Sequence, residues 1–157
     1  MKPVEEVLHR LLGAWRLVRW EERSPDGSIH YPLGENAVGQ IMYDANGQMS
    51  AQLMRKDQAR FADDDWRKAT TAEKAEAWAN YFGYFGTYSL DADRKVVTHH
   101  IKGSWFPNLV GADQLRYYRF EGNQLVLDAS TAWGQVRIVW EKLKKQSPGV
   151  STASRAA

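Results

Sequence analysis

Apolar positions recur at two different spacings along this chain, and the change of spacing divides it. In "PVEEVLHRLLG", Val4, Val7, Leu8 and Leu11 fall at i, i+3, i+4 and i+7, one face of a helix. Pro3 suits the first helical turn, Glu5 and Glu6 favour the positive end of the dipole, and Gly13 suits the position just past the end. After Gly13 the pattern becomes that of strands. "AWRLVRWEER" is aromatic and β-branched and stops at the turn signal "SPDGS". "VGQIMY" and "QMSAQLMR" flank "DANG", where Asn46-Gly47 marks a hairpin. "GYFGTYSL" and "KVVTHHIKG" flank "DADR", "DQLRYYRF" and "QLVLDAS" flank "EGN", and "GQVRIVWEKL" closes the series.

One more helical pattern lies in the longest insertion. Thr70 with Glu73 three residues on forms a capping box, and Ala75, Trp78, Ala79 and Phe82 follow as an apolar stripe. The total is about eight short strands joined mostly by hairpins, an antiparallel meander. Eight strands close into a barrel that removes exposed edges and leaves room for a small ligand. A β-sandwich is the alternative, and it more often needs long links between its sheets. The expected architecture is all-β: an antiparallel eight-stranded barrel with a short N-terminal helix and one inserted helix.

The opening "LLGAWRLVRWEE" resembles the start of lipocalins and related calycin barrels, a short helix running into Gly-x-Trp on the first strand. That resemblance implies that Trp15, after Gly13, plugs the closed end under a basic side chain from the last strand, here Arg137 or Lys142, as a cation–π pair. The blocks "YFGYFGTYSLD", "VVTHHIKGSWFPNLVGADQLRYYRFEGNQLVL" and "IVWEKL" resemble the bacterial and fungal lipocalin-like domain family. The likeness runs over roughly residues 8–143 and is most specific from Thr98 to Leu127. It implies a lipocalin-like barrel but no single activity: most barrels of this broad type bind small apolar molecules, and a minority isomerise or cyclise them.

Composition narrows this further. A chain of 157 residues is long enough for one well-cored domain, read here as residues 1–143 with a flexible basic tail over 144–157. The net charge of +2 comes from the C-terminus: residues 142–157 carry four basic side chains and no acid, and the remainder holds 17 basic against 19 acidic. The folded part is therefore no nucleic-acid platform. The absence of cysteine excludes disulfides, thiolate metal sites and a thiol nucleophile. Glu5 and Glu6 interrupt what a signal peptide requires, and no stretch has the length of a membrane span, so a cytoplasmic location is expected.

Strand alternation then sorts the candidate chemistry. In "KVVTHHIKG", Val97, His99 and Ile101 share a face, and Thr98, His100 and Lys102 share the other; the lysine places the second face outside. Adjacent histidines on a strand point to opposite sides, so His99 and His100 do not form a metal pair, and no metal or cofactor is expected. The acidic run Asp63–Asp65 lacks the alternating ligand spacing of a calcium loop. The same alternation turns Arg116 and Tyr118 inward with Gln114 and Phe120, and Tyr84 and Tyr88 inward on "GYFGTYSL". An inward arginine needs partners: a carboxylate such as Glu21, a ligand carboxylate, or backbone carbonyls. "GSWFPNLVGAD" reads as a mouth loop that brings Trp105 and Asn108 to the ligand entrance.

The candidate ligand-binding set is therefore Tyr84, Tyr88, His99, Trp105, Asn108, Arg116 and Tyr118. The leading function is binding of a small apolar or amphipathic molecule inside the barrel. The alternative is an isomerase or cyclase acting on an apolar or polyketide-like substrate, with His99 as acid/base and Arg116 or Tyr118 steadying an oxyanion. A filled barrel serving as an interaction module is the third reading. The chain has no nucleophile motif, phosphate loop or dinucleotide fingerprint. Nothing in the chain points to an oligomeric state.

Overall fold

The computed structural model describes residues 2–132 and 134–150. The first segment forms helix α1, Pro3–Leu11, with Glu5 and Glu6 in its first turn and Leu11 completely buried. The Glu5 carboxylate accepts the Lys2 N–H at 3.1 Å. Gly13, at φ +113°, makes the sharp exit that turns the chain from helix to strand, a conformation that side chains resist. Eight long strands follow the expected order: β1 (Gly13–Arg23), β3 (Val38–Tyr43), β4 (Gln48–Met54), β5 (Tyr81–Asp91), β6 (Val96–Ser104), β7 (Asp113–Glu121), β8 (Gln124–Thr131) and β9 (Gly134–Lys142). Each is antiparallel to its neighbours, and pairing of β1 with β9 closes the barrel. A two-residue strand, β2 (Ile29–His30), adds a short extension beside Glu22 and Arg23; its length is below anything alternation could reveal.

Helix α2, Thr71–Ala79, starts at the expected capping box, with Thr70 Oγ1 accepting the Glu73 N–H and Glu73 accepting the Thr70 N–H. Its apolar stripe stops short of Phe82. The β4 ladder captures Tyr81 and Phe82 by pairing them with Met54 and Leu53, so Phe82 is a strand residue. Arg55 and Asn80 fasten the two ends of this insertion, with Arg55 Nε donating to Asn80 Oδ1 at 2.8 Å.

The two ends of the barrel differ. At the closed end Trp15 is 3% exposed and donates its indole N–H to the Leu11 carbonyl at 2.9 Å. Lys142 Nζ lies 4.4 Å from the Trp15 ring centre, and it also donates to the carbonyls of Arg10 and Leu12. Lys142 is thus the basic cap, and Arg137 instead binds Asp128 through Nε and Nη2. At the open end sit the insertion and the β6–β7 loop with its one-turn helix Pro107–Leu109. Between these ends β5 and β6 come unusually close at Gly86, where a β-carbon would stand 1.9 Å from the His100 carbonyl oxygen. A bulge in the β5–β6 ladder occurs at the same place.

Residues 144–150 form neither helix nor strand and are exposed. The rest of the expected basic tail, 151–157 with Arg155, lies outside the described residues. Among the described residues no helix is long and apolar enough to cross a membrane, and no cluster of three metal-ligating side chains occurs.

Candidate functional site

The open half of the barrel encloses a cavity of about 300 Å³. Its wall is mainly apolar, with Ile41, Ala51, Leu53, Leu127, Val136 and Ile138 supplied by four strands. Each comes from an inward position of its strand, which is why alternating sequences enclose a hollow rather than a sheet face. Aromatic side chains dominate the entrance. Trp20, Phe82 and Trp105 stack in series, with ring centres 5.2 and 4.4 Å apart. Trp78 of α2 extends the series, 5.5 Å from Trp105 and 6.4 Å from Phe106. The inserted helix therefore meets the same mouth as the β6–β7 loop.

His99 lies in the cavity wall at 1% exposure. Its Nε2 is 2.6 Å from the Tyr43 hydroxyl and its Nδ1 is 2.5 Å from the Tyr84 hydroxyl. Burial, followed by the positive charge of Arg116, pushes His99 from its ordinary 6.5 down to about 3. Burial pushes Tyr84 up to about 12 and raises Tyr43 well above the usual phenol value. All three groups are neutral through the physiological range, so the trio is a hydrogen-bond chain rather than a charge relay. Tyr84 borders the cavity; Tyr43 does not.

Arg116 and Gln114 reach the same space from β7. Arg116 donates to Gln114 Oε1 and to the Leu115 carbonyl, both at 3.1 Å. Its partners are thus an amide and a backbone carbonyl. Glu21 lies instead 3.7 Å from Arg19, and among the described residues no carboxylate pairs with Arg116. Glu22, near the end of β1, and Thr131, at the end of β8, mark the rim.

Of the seven residues expected at the site, Tyr84, His99, Trp105 and Arg116 line the cavity. The other three do not. Tyr88 and Tyr118 face inward but at the wrong height. Tyr88 donates to the Asp44 carbonyl at 2.6 Å and packs edge-on against Tyr43, whereas Tyr118 packs against Phe120 at the closed end. Asn108 is exposed in the one-turn helix, and its neighbours Phe106 and Leu109 reach the cavity in its place. Two residues outside the expected set belong to the site, Gln114 in the cavity wall and Tyr43 behind it against His99. Gln114 shares the inward face of β7 with Arg116, so alternation contained the signal. Tyr43, whose contact with His99 crosses the barrel between strands that do not pair, gave no local sign.

On the outer face His100 is held between Asp113 Oδ1, 2.7 Å from Nδ1, and Ser89 Oγ, 2.9 Å from Nε2. This is the hydrogen-bond order of a hydrolase triad, but the three groups stand on the outside of the sheet and none borders the cavity.

A closed, eight-stranded antiparallel barrel, plugged at one end and hollow at the other, defines a calycin-type architecture. The chain belongs to the lipocalin-like domain family, whose sequence profile matches residues 12–155. Among solved structures, a redesigned beta barrel is similar at 11% identity, covering 87% of this chain and 94% of that one with a TM-score of 0.43. No curated protein matched the chain.

Proposed function

We propose that the protein binds a small, largely apolar molecule in the barrel cavity. The observation that carries this reading is the hollow itself: about 300 Å³, walled by aliphatic and aromatic side chains and interrupted by a few fixed polar groups. That volume lies at the lower end of the range for small-molecule sites, and the mixture of wall types is theirs as well. Tyr84, Trp105 and Arg116 are the contacts proposed for the guest.

The isomerase or cyclase alternative asks His99 to exchange a proton with the guest. Both of its nitrogens are engaged by tyrosines, and burial keeps it neutral. Our reading therefore gives His99 the task of orienting Tyr84. The test is native mass spectrometry of the purified protein together with titration of its tryptophan fluorescence by 2-methylnaphthalene. Trp20, Trp105 and Trp140 line the cavity, so an occupant should change their emission. Saturable, one-to-one binding is expected. A flat titration, with no co-purified small molecule, would overturn the reading.

A further inference from the structure

The polar groups of the cavity do not balance. In the chain Tyr43–His99–Tyr84 each hydroxyl brings one proton and the neutral imidazole brings one. Three donors thus share two hydrogen bonds, and one O–H is left over at one end of the chain. Were the spare donor on Tyr43, it would be stranded in a residue 1% exposed that makes no other side-chain hydrogen bond among the described residues. Such an unpaired buried donor is costly. The favoured arrangement has Tyr43 donating to Nε2, Nδ1–H donating to the Tyr84 oxygen, and the Tyr84 O–H turned to the cavity that Tyr84 borders.

The rest of the wall leans the same way. Arg116 carries only donors, and two of its five N–H groups are engaged by acceptors among the described residues. Trp20, Trp105 and Trp140 line the cavity, and their indole nitrogens have no acceptor among the described residues. On the acceptor side, Gln114 Oε1 is engaged by Arg116, and Thr131, whose hydroxyl donates to the Gly134 carbonyl, stands at the rim. Glu22 is the exception, and it stands at the rim beside Thr131. Inside that rim the site offers donors and a guanidinium with no counter-charge.

We infer that the cavity selects an apolar-bodied organic anion, a carboxylate or a phenolate or enolate, whose oxygens accept from Tyr84 and Arg116. The inference rests on the cavity-binding reading and adds the charge and hydrogen-bonding sense of the guest. Tyr84 and Arg116 become its specificity-determining residues, and His99 with Tyr43 positions the Tyr84 donor. An amine of the same shape would meet Arg116 as a like charge and would find no carboxylate inside the rim among the described residues.

Three probes of one shape test this: 2-naphthoate, 2-methylnaphthalene and 2-naphthylmethylammonium, titrated by tryptophan fluorescence at neutral pH. Naphthoate should bind at least ~10-fold more tightly than the hydrocarbon, the order expected of a charge-assisted hydrogen bond, and the ammonium most weakly. In Arg116→Gln, and separately in Tyr84→Phe, the naphthoate-to-hydrocarbon ratio should fall toward one. Arg119→Gln, which alters an exposed arginine on the outer side of the same strand, should keep the ratio. Hydrocarbon or ammonium binding as tight as naphthoate in the parent protein overturns the inference while leaving the cavity reading intact. Failure of all three probes to bind overturns both. The parent-protein comparison needs no variant, so a substitution that disturbs folding leaves that test standing.

Discussion

His99 and His100 are neighbours in sequence and occupy different chemical worlds. His99 is 1% exposed, held by two phenols and kept neutral by burial. His100 stands in the outer face, its side chain 38% exposed, between a carboxylate and a serine hydroxyl. One peptide step along a strand reverses the face, and here the faces are a low-dielectric cavity and water. Inside, a polar group is costly to leave unpaired and its hydrogen bonds define one arrangement. Outside, water replaces a lost partner at little cost.

The largest expected effect comes from removing the inner histidine. His99→Leu leaves the Tyr43 hydroxyl buried with no partner and removes the donor to the Tyr84 oxygen, at about 1–3 kcal/mol for each group, so a loss of about 3 kcal/mol is expected in urea unfolding. The next effect is acid sensitivity. His99 binds its proton near 3 when folded and near 6.5 when unfolded. Between those values the unfolded chain holds the extra proton, so this contribution to stability is complete above about pH 6.5 and fades as the pH falls toward 3. Between about pH 7 and about pH 4.5 the parent protein should lose about 2–3 kcal/mol more than His99→Gln does. Equal losses in the two proteins would show that the inner histidine takes up its proton while folded, and the contrast between the faces would fail.

The division between the two faces was legible in the sequence because it depends only on the two-residue period of a strand. The barrel was legible for a similar reason: hairpin turns at "DANG", "DADR" and "EGN" and the Gly13–Trp15 start are local signals. Height along the barrel was not legible. Tyr88 and Tyr118 face inward as expected, but whether an inward side chain meets a hollow or a plug depends on where Trp15, Phe120 and Lys142 fill the interior. That is decided by closure of β1 on β9, a pairing between the two ends of the chain. The Tyr43–His99 contact was hidden too, since it spans 56 residues and two strands that share no ladder. Phe82 shows the limit of periodicity in the other direction: it fits a helical stripe, yet backbone pairing with Leu53 outweighs that fit.

The smallest expected effect is on the outer histidine, and it sharpens the comparison most because the substitution is at the adjacent residue. His100 makes as many side-chain hydrogen bonds as His99, two in each case. A simple tally of bonds therefore assigns the two residues equal weight. The physical account does not. Asp113 is 58% exposed in its side chain, so in His100→Gln water can solvate the carboxylate and the Ser89 hydroxyl once the histidine is gone. Exposed pairs of this kind contribute about 0–1 kcal/mol, and the expected change in urea unfolding is within about 0.5 kcal/mol. The Asp113 end also ties β7 to β6 at the last paired position before the mouth loop. If His100→Gln instead costs as much as His99→Leu, the clasp on that loop carries energy that exposure alone does not account for. The division would then lie between the middle of the β6–β7 ladder and its end, rather than between the inside and the outside of the barrel.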